Sequence, residues 1–168
     1  MHDFDELIYR STHFTLAKLD ELRIEVIEEL NTNASRIDVI NLQMIQLQLV
    51  VISVGIFSIF EASLQSRYKP IDGFEELRIR LKCDGHKILE KRFSQFIAAI
   101  NVLKHGRGRS YDSLLTEIGE LPFRMKRPDQ DFFAEGDLGE VNTLIEVDNV
   151  FVKNCVELIG KVTELIKK

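Results

Sequence analysis

Apolar residues recur along most of this chain with the rhythm of helices rather than strands. Between Phe4 and Leu30, the residues Leu7, Phe14, Ala17, Leu22, Val26 and Leu30 return at helical steps, with Asp and Glu between them. That pattern predicts one long helix with those six on its core side. Asn31-Thr32-Asn33 reads as a turn, with Asn33 or Ser35 as cap of the next helix. From Val39 to Phe60 runs a stretch of 22 residues without a single charge. It continues through Glu61 to about Tyr68, where Pro70 and Gly73 break it. Phe74 to Cys83 predicts a short amphipathic helix, punctuated by Asp84-Gly85. Lys87 to His105 predicts a longer one that buries Ile88, Phe93, Phe96, Ile97, Ile100 and Leu103. Tyr111 to Ile118 makes a short helix, and Gly119 to Gly139 a long irregular connection. Val147 to Ile166 closes the chain with Phe151, Cys155, Leu158, Val162 and Leu165 facing inward. The expected fold is all-α: a single domain over residues 1–168, an up-and-down bundle of four to five main helices.

Composition supports that reading. The 168 residues are 45% hydrophobic and 29% charged, with nine glycines and three prolines. Scarce breakers beside abundant Leu, Ile, Glu and Lys favour helices over a sheet sandwich. Cys83 and Cys155 have no metal-ligand spacing, so no metal site is expected, and reduced thiols fit a cytoplasmic protein. No cofactor fingerprint is present. The uncharged run is long enough to cross a membrane, which needs about 20 apolar residues. Its first half, however, carries Asn41, Gln43, Gln46 and Gln48, leaving twelve dense apolar residues from Leu49 to Phe60. Twelve is the length of a core helix, so no membrane span is expected. Asn41, Gln48, Gly55 and Ala62 recur every seventh residue, a small or polar stripe that suits a dimer seam.

Charge is distributed unevenly. From Arg78 to Arg109 there are nine Lys/Arg against two acids, although the whole chain is net −5. An acidic body with one basic segment fits selective binding of a polyanion. It fits equally a basic face that pairs with the acidic helices of its own fold.

The basic segment ends in Asn101-Val102-Leu103-Lys104-His105-Gly106-Arg107-Gly108-Arg109-Ser110. Asn101 and His105, four apart on a helix, share a face. Gly106 is placed to end the helix with positive φ, Gly108 reads as a second turn glycine, and Ser110 as cap of the next helix. His105 suits general acid–base work near neutrality, or simply a cation stabilised at a helix C-terminus. Lys104, Arg107 and Arg109 suit phosphate contacts, or solvated loop charge. Asn101 would orient the imidazole or a ribose hydroxyl, or edge the core. Glu61, following an apolar block, is either a buried acid paired with the basic helix or a catalytic carboxylate.

On Asn101-x3-His105-Gly106 and the uncharged helix ending Phe60-Glu61-Ala62, the chain resembles the HEPN superfamily. These are helical bundles of prokaryotic defence and toxin–antitoxin systems. The resemblance covers about Val39 to Leu115 and implies a metal-independent ribonuclease, with His105 moving protons at the 2′-hydroxyl. The family's arginine, separated from the histidine by four to six residues, would fall at Ala98, Ala99 or Ile100 and is absent. Arg92 lies 13 residues before His105, about 20 Å along the helix and roughly 140° around it. The resemblance therefore implies RNA binding, with cleavage weak or lost. A different class of function stays open beside it: a non-catalytic interaction module, a homodimer or the binder of a partner protein through the uncharged helix.

Overall fold

A computed structural model describes residues 4–33, 35–67, 72–130 and 139–166. Among these residues six helices form an all-α bundle. They are α1 (Phe4–Thr32), α2 (Arg36–Arg67), α3 (Gly73–Cys83), α4 (Lys87–His105), α5 (Arg109–Thr116) and α6 (Asn149–Ile166). No strand occurs among them, only one isolated bridge between Met125 and Ile145. Four of the helices are long and two are short.

Helix α2, which contains the uncharged run, takes the central place and packs against α1, α3, α4 and α6. Its Leu49, Ile56, Phe57, Phe60 and Leu64 are buried, and Ser53 is buried with its hydroxyl donating to the Leu49 carbonyl at 2.9 Å. A chain of phenylalanines ties the bundle together. Phe57 and Phe60 meet Phe93 of α4, and Phe96 meets both Phe57 and Phe151 of α6. Such pairs add about 0.5–1.5 kcal/mol each beyond area burial. Polar staples hold α1 in place: Arg23 donates to Gln46 at 3.0 Å, and Asn149 to Asp20 at 2.7 Å. By length and composition α2 is apolar enough to cross a membrane, yet one whole side of it lies inside this core.

Several boundaries and faces differ from the sequence expectation. Helix α1 does not turn at Asn31 but continues through Thr32. Its last turn is satisfied by Asn33 N–H to the Glu29 carbonyl (2.8 Å) and the Thr32 hydroxyl to the Glu28 carbonyl (2.9 Å). Ser35 does cap α2, its hydroxyl accepting from the Asp38 N–H at 3.3 Å. On α1 the buried stripe is Ile8, Leu16, Leu19 and Val26, whereas Leu7, Phe14 and Leu22 are exposed. Apolar residues occur all round α1, so rhythm alone does not choose a stripe. At 100° per residue Ile8, Leu16, Leu19 and Val26 share a narrow arc that Leu7, Phe14 and Leu22 do not. On α4, Phe93, Phe96 and Ile100 are buried as expected, but Ile88 stands 85% exposed. The stretch after Gly119 is less irregular than its composition implies. Phe123 packs on Phe96 and Phe151, while Lys126 N–H donates to the Leu144 carbonyl and Glu146 N–H to the Arg124 carbonyl. The part of this connection from 131 to 138 lies outside the described residues, as does the expected break at Pro70.

The outer side of α2 has no counterpart among the described residues. Ile37, Ile40, Met44, Leu47 and Val51 are all exposed. They alternate by three and four residues, the spacing of a coiled-coil seam, and they point away from the buried side. Gln48 and Ala62 of the small-residue stripe are exposed beside them, with Asn41 and Gly55 half-buried.

Candidate functional site

Because Phe93, Phe96 and Ile100 anchor one side of α4, the direction of its last turn is fixed. Asn101 is half-buried next to Ile100, and Lys104 and His105 are exposed. The helix stops at Gly106, whose φ is 73° and whose N–H donates to the Val102 carbonyl at 2.8 Å. A side chain is disfavoured at that φ, so glycine is what allows the chain to leave here. Gly108 is different: its φ of 165° is ordinary extended backbone. It, not Ser110, precedes α5, because its carbonyl already accepts the first helical bond from Asp112 N–H at 3.0 Å. Ser110 sits inside the first turn.

Helix α5 is docked by Tyr111 and Leu114, both buried. The Tyr111 hydroxyl donates to the Lys126 carbonyl at 2.9 Å. The turn carrying Lys104, His105, Arg107 and Arg109 is therefore held from both sides. Arg107 donates to the Pro128 carbonyl at 3.4 Å, which brings a distant segment alongside. Arg127, next to Pro128 in the chain and exposed, adds a cation to that segment. Nothing in the sequence flagged it: it lies twenty positions beyond the motif in a stretch read as irregular. Asp129 in the same segment is a nearby opposing charge.

The cations from Arg78 to Arg109 divide into two groups. Arg78 pairs with Glu75 (3.2 Å) and Glu90 (3.1 Å), Arg80 with Glu76 (2.7 Å), and Lys82 with Glu90 (3.4 Å). Lys91 pairs with Glu120 and, at 3.5 Å, with Glu117. Glu90 is buried between α3 and α4. Burial pushes its carboxyl up, but hydrogen bonds from Ser94 and Arg78 and the charges of Lys82 and Arg78 prevail and hold it low. Lys87, Arg92, Lys104, Arg107 and Arg109 have no carboxylate partner among the described residues. The basic segment thus does both things its composition allowed. Its α3 cations and Lys91 pair with its own fold, whereas Lys87 and Arg92 at the start of α4 and Lys104, Arg107 and Arg109 at its far end do not.

Glu61 proves to be half-buried and makes no ion pair with the basic helix. Instead it lines a small cavity of about 200 Å³ between α2, α3 and α4, together with Asn101, Lys104, Arg78, Asp72 and Glu75. Asp72 is committed to capping α3 through the N–H groups of Phe74 and Glu75 at 2.9 and 3.1 Å. Three carboxylates against two cations make this cavity a poor seat for a phosphate. The structure thus brings Glu61, Asn101 and Lys104 together. His105, Arg107 and Arg109 do not line the cavity but lie on the exposed turn, and His105 has no hydrogen-bond partner there among the described residues. No group of three or more His, Cys, Asp or Glu among the described residues is arranged to hold a metal ion.

No family model, curated protein or solved structure matches this chain.

Proposed function

We propose that this protein is a HEPN-like, RNA-binding member of a cytoplasmic defence or toxin–antitoxin system, and that it grips RNA phosphates with the turn between α4 and α5. One observation carries the reading. Lys104, Arg107 and Arg109 surround an exposed imidazole and form no ion pair among the described residues, whereas four cations earlier in the same segment are paired. Cations left unpaired on a backbone held from both sides are pre-organised for a polyanion. His105 sits where it reaches a bound phosphodiester from solvent. With Glu61 in a separate cavity and no arginine at positions 98–100, it lacks both a proton partner and a cation on the helix turn ahead of it. Losing one such charge donor costs about 10²–10³ in rate, so binding is the main activity and any cleavage is slow and metal-independent.

The test is binding and cleavage of single-stranded RNA by the purified protein at low and high salt without metal. Binding that weakens steeply with salt, and that the Lys104→Ala/Arg107→Ala/Arg109→Ala variant lacks, is the expected result. Salt-independent binding, or none, overturns it. Residual cleavage that His105→Ala abolishes would make the protein a nuclease.

The outer stripe of α2 favours a second activity, protein–protein association. Five exposed apolar side chains at seam spacing, four of them in the uncharged run, fit a second copy of the chain or the helix of a partner protein. Sedimentation of the wild type against Met44→Glu/Val51→Glu reads it directly: a dimer that becomes a monomer supports the homodimer.

A further inference from the structure

At the opposite end of α4, unpaired cations surround a cavity rather than a turn. About 560 Å³ in volume, it opens between the start of α4 and the middle of α6. Its floor is apolar: Phe96 and Leu158 are buried and Leu89 is half-buried. Its rim carries Lys87, Arg92 and Lys161, all exposed. Lys161 lies 3.8 Å from Glu157, the one carboxylate in the cavity. An exposed pair at that distance leaves the lysine largely available. At the mouth stands Ile88, 85% exposed, more than any other large apolar side chain among the described residues. Here α4 also begins, and His86 precedes it without a side-chain cap. The first-turn N–H groups of Lys87, Ile88 and Leu89 are therefore open donors at the positive end of the helix dipole.

These features ask for two things in one molecule. The cations and the open helix end require negative charge, and the floor and Ile88 require apolar surface. We infer that this cavity binds a small amphiphilic anion, a phosphate or carboxylate joined to an aromatic or acyl group. The head lies between Arg92, Lys161 and the first turn of α4, and the apolar part covers Leu89, Leu158 and Ile88. The volume falls within the range of about 300–1,000 Å³ typical of small-ligand sites. An inorganic ion would leave the floor bare, and a neutral molecule would leave the cations unanswered. About 20 Å of helix separates the site from His105, so a ligand here does not compete with RNA at the turn.

Two probes distinguish the sources of this chemistry: adenosine 5′-monophosphate for an aromatic phosphate, octanoate for an acyl carboxylate. Inorganic phosphate serves as the head alone. The readout is the backbone amide resonances of Lys87, Ile88 and Leu89 in the full chain. One of the two amphiphiles should shift them saturably, with affinity about tenfold or more above that of inorganic phosphate. Arg92→Ala with Lys161→Ala should weaken binding by about tenfold, and Glu157→Gln should strengthen it severalfold by removing the repelling charge. A gain of affinity cannot come from a damaged fold. The inference is overturned if neither amphiphile moves those amides, if inorganic phosphate binds as tightly, or if the cation variant with a native circular dichroism spectrum binds unchanged.

Discussion

The two ends of α4 have the same sequence ingredients and use them differently. At the C-terminal end Lys104, Arg107 and Arg109 sit on an exposed turn that offers charge but no depth. At the N-terminal end Lys87 and Arg92, joined by Lys161, rim a cavity of about 560 Å³ with an apolar floor. By contrast Lys91, beside Arg92, and Arg78 and Lys82 of α3 are neutralised by carboxylates of the same fold. What differs is the neighbour each cation meets. Net charge counts cations, whereas the placement of the acids on α3 and after α5 decides which of them remain available.

The two ends share one support, and removing it gives the largest effect. Phe96 is buried in the middle of α4, stacks with Phe57, meets Phe151 and lines the cavity floor. Phe96→Ala should destabilise the fold by about 3–5 kcal/mol, measured by chemical denaturation. It should blunt both ends together, and a loss confined to one end would break the idea of a common scaffold. Next comes separation of the ends. The triple alanine variant at Lys104, Arg107 and Arg109 should cut RNA affinity by about 10²-fold at low salt. It should also reduce the salt slope by about 2, as expected for three lost phosphate contacts on a single strand. Binding of the amphiphilic probe at the other end should not change.

The neutralised cations between α3 and α4 are tested by Glu90→Gln. Glu90 joins Arg78, Lys82 and Ser94, and its loss should cost about 1–3 kcal/mol. The sign with pH follows from its lowered pKa. A carboxyl held low when folded contributes its stability above the unfolded value and loses it as pH falls through the folded one. The wild type should therefore lose this increment on acidification below the ordinary carboxylate range. Glu90→Gln, lacking it throughout, should show a shallower decline there in a thermal melt. An identical pH profile would mean that Glu90 is not the tie between α3 and α4.

Much of this architecture is legible in the chain itself. The limits of α4 follow from Asp84-Gly85 and His105-Gly106, and the inward side of α6 follows from its spacing, because both helices are clearly two-faced. Helix α1 is not, so its spacing finds Val26 but not Ile8, Leu16 and Leu19, and Ile88 reads as core although its cavity leaves it uncovered. The site is legible only in part. Asn101 and His105 share a face as their spacing requires, but whether Glu61 reaches them depends on how α2 and α4 pack. Arg127 arrives through Tyr111 and Arg107 holding a remote segment, a contact for which no local pattern exists. The pairing of Arg78 with Glu90 likewise depends on the angle between two helices.

The smallest effects give the sharpest comparison. Among the described residues positive φ occurs at only two places, Gly85 at 82° and Gly106 at 73°, one at each end of α4. Gly85 completes the close of α3: its N–H donates to the Lys82 carbonyl at 3.2 Å and the His86 N–H to that of Leu81 at 2.8 Å. A Cβ at either glycine would meet nothing within 4 Å. The cost of alanine there is one of backbone conformation alone, about 1–2 kcal/mol in each case. Gly85→Ala and Gly106→Ala should therefore lower stability by similar amounts in denaturation. Their functional consequences should not be similar. Gly85→Ala should weaken only the amphiphilic probe, by shifting the first turn of α4 and Lys87. Gly106→Ala should weaken only RNA, by turning Arg107 and Arg109 away from Lys104. Two substitutions equal in energy and opposite in consequence would establish that the ends of α4 are separate sites, and equal damage to both ligands would reduce them to one.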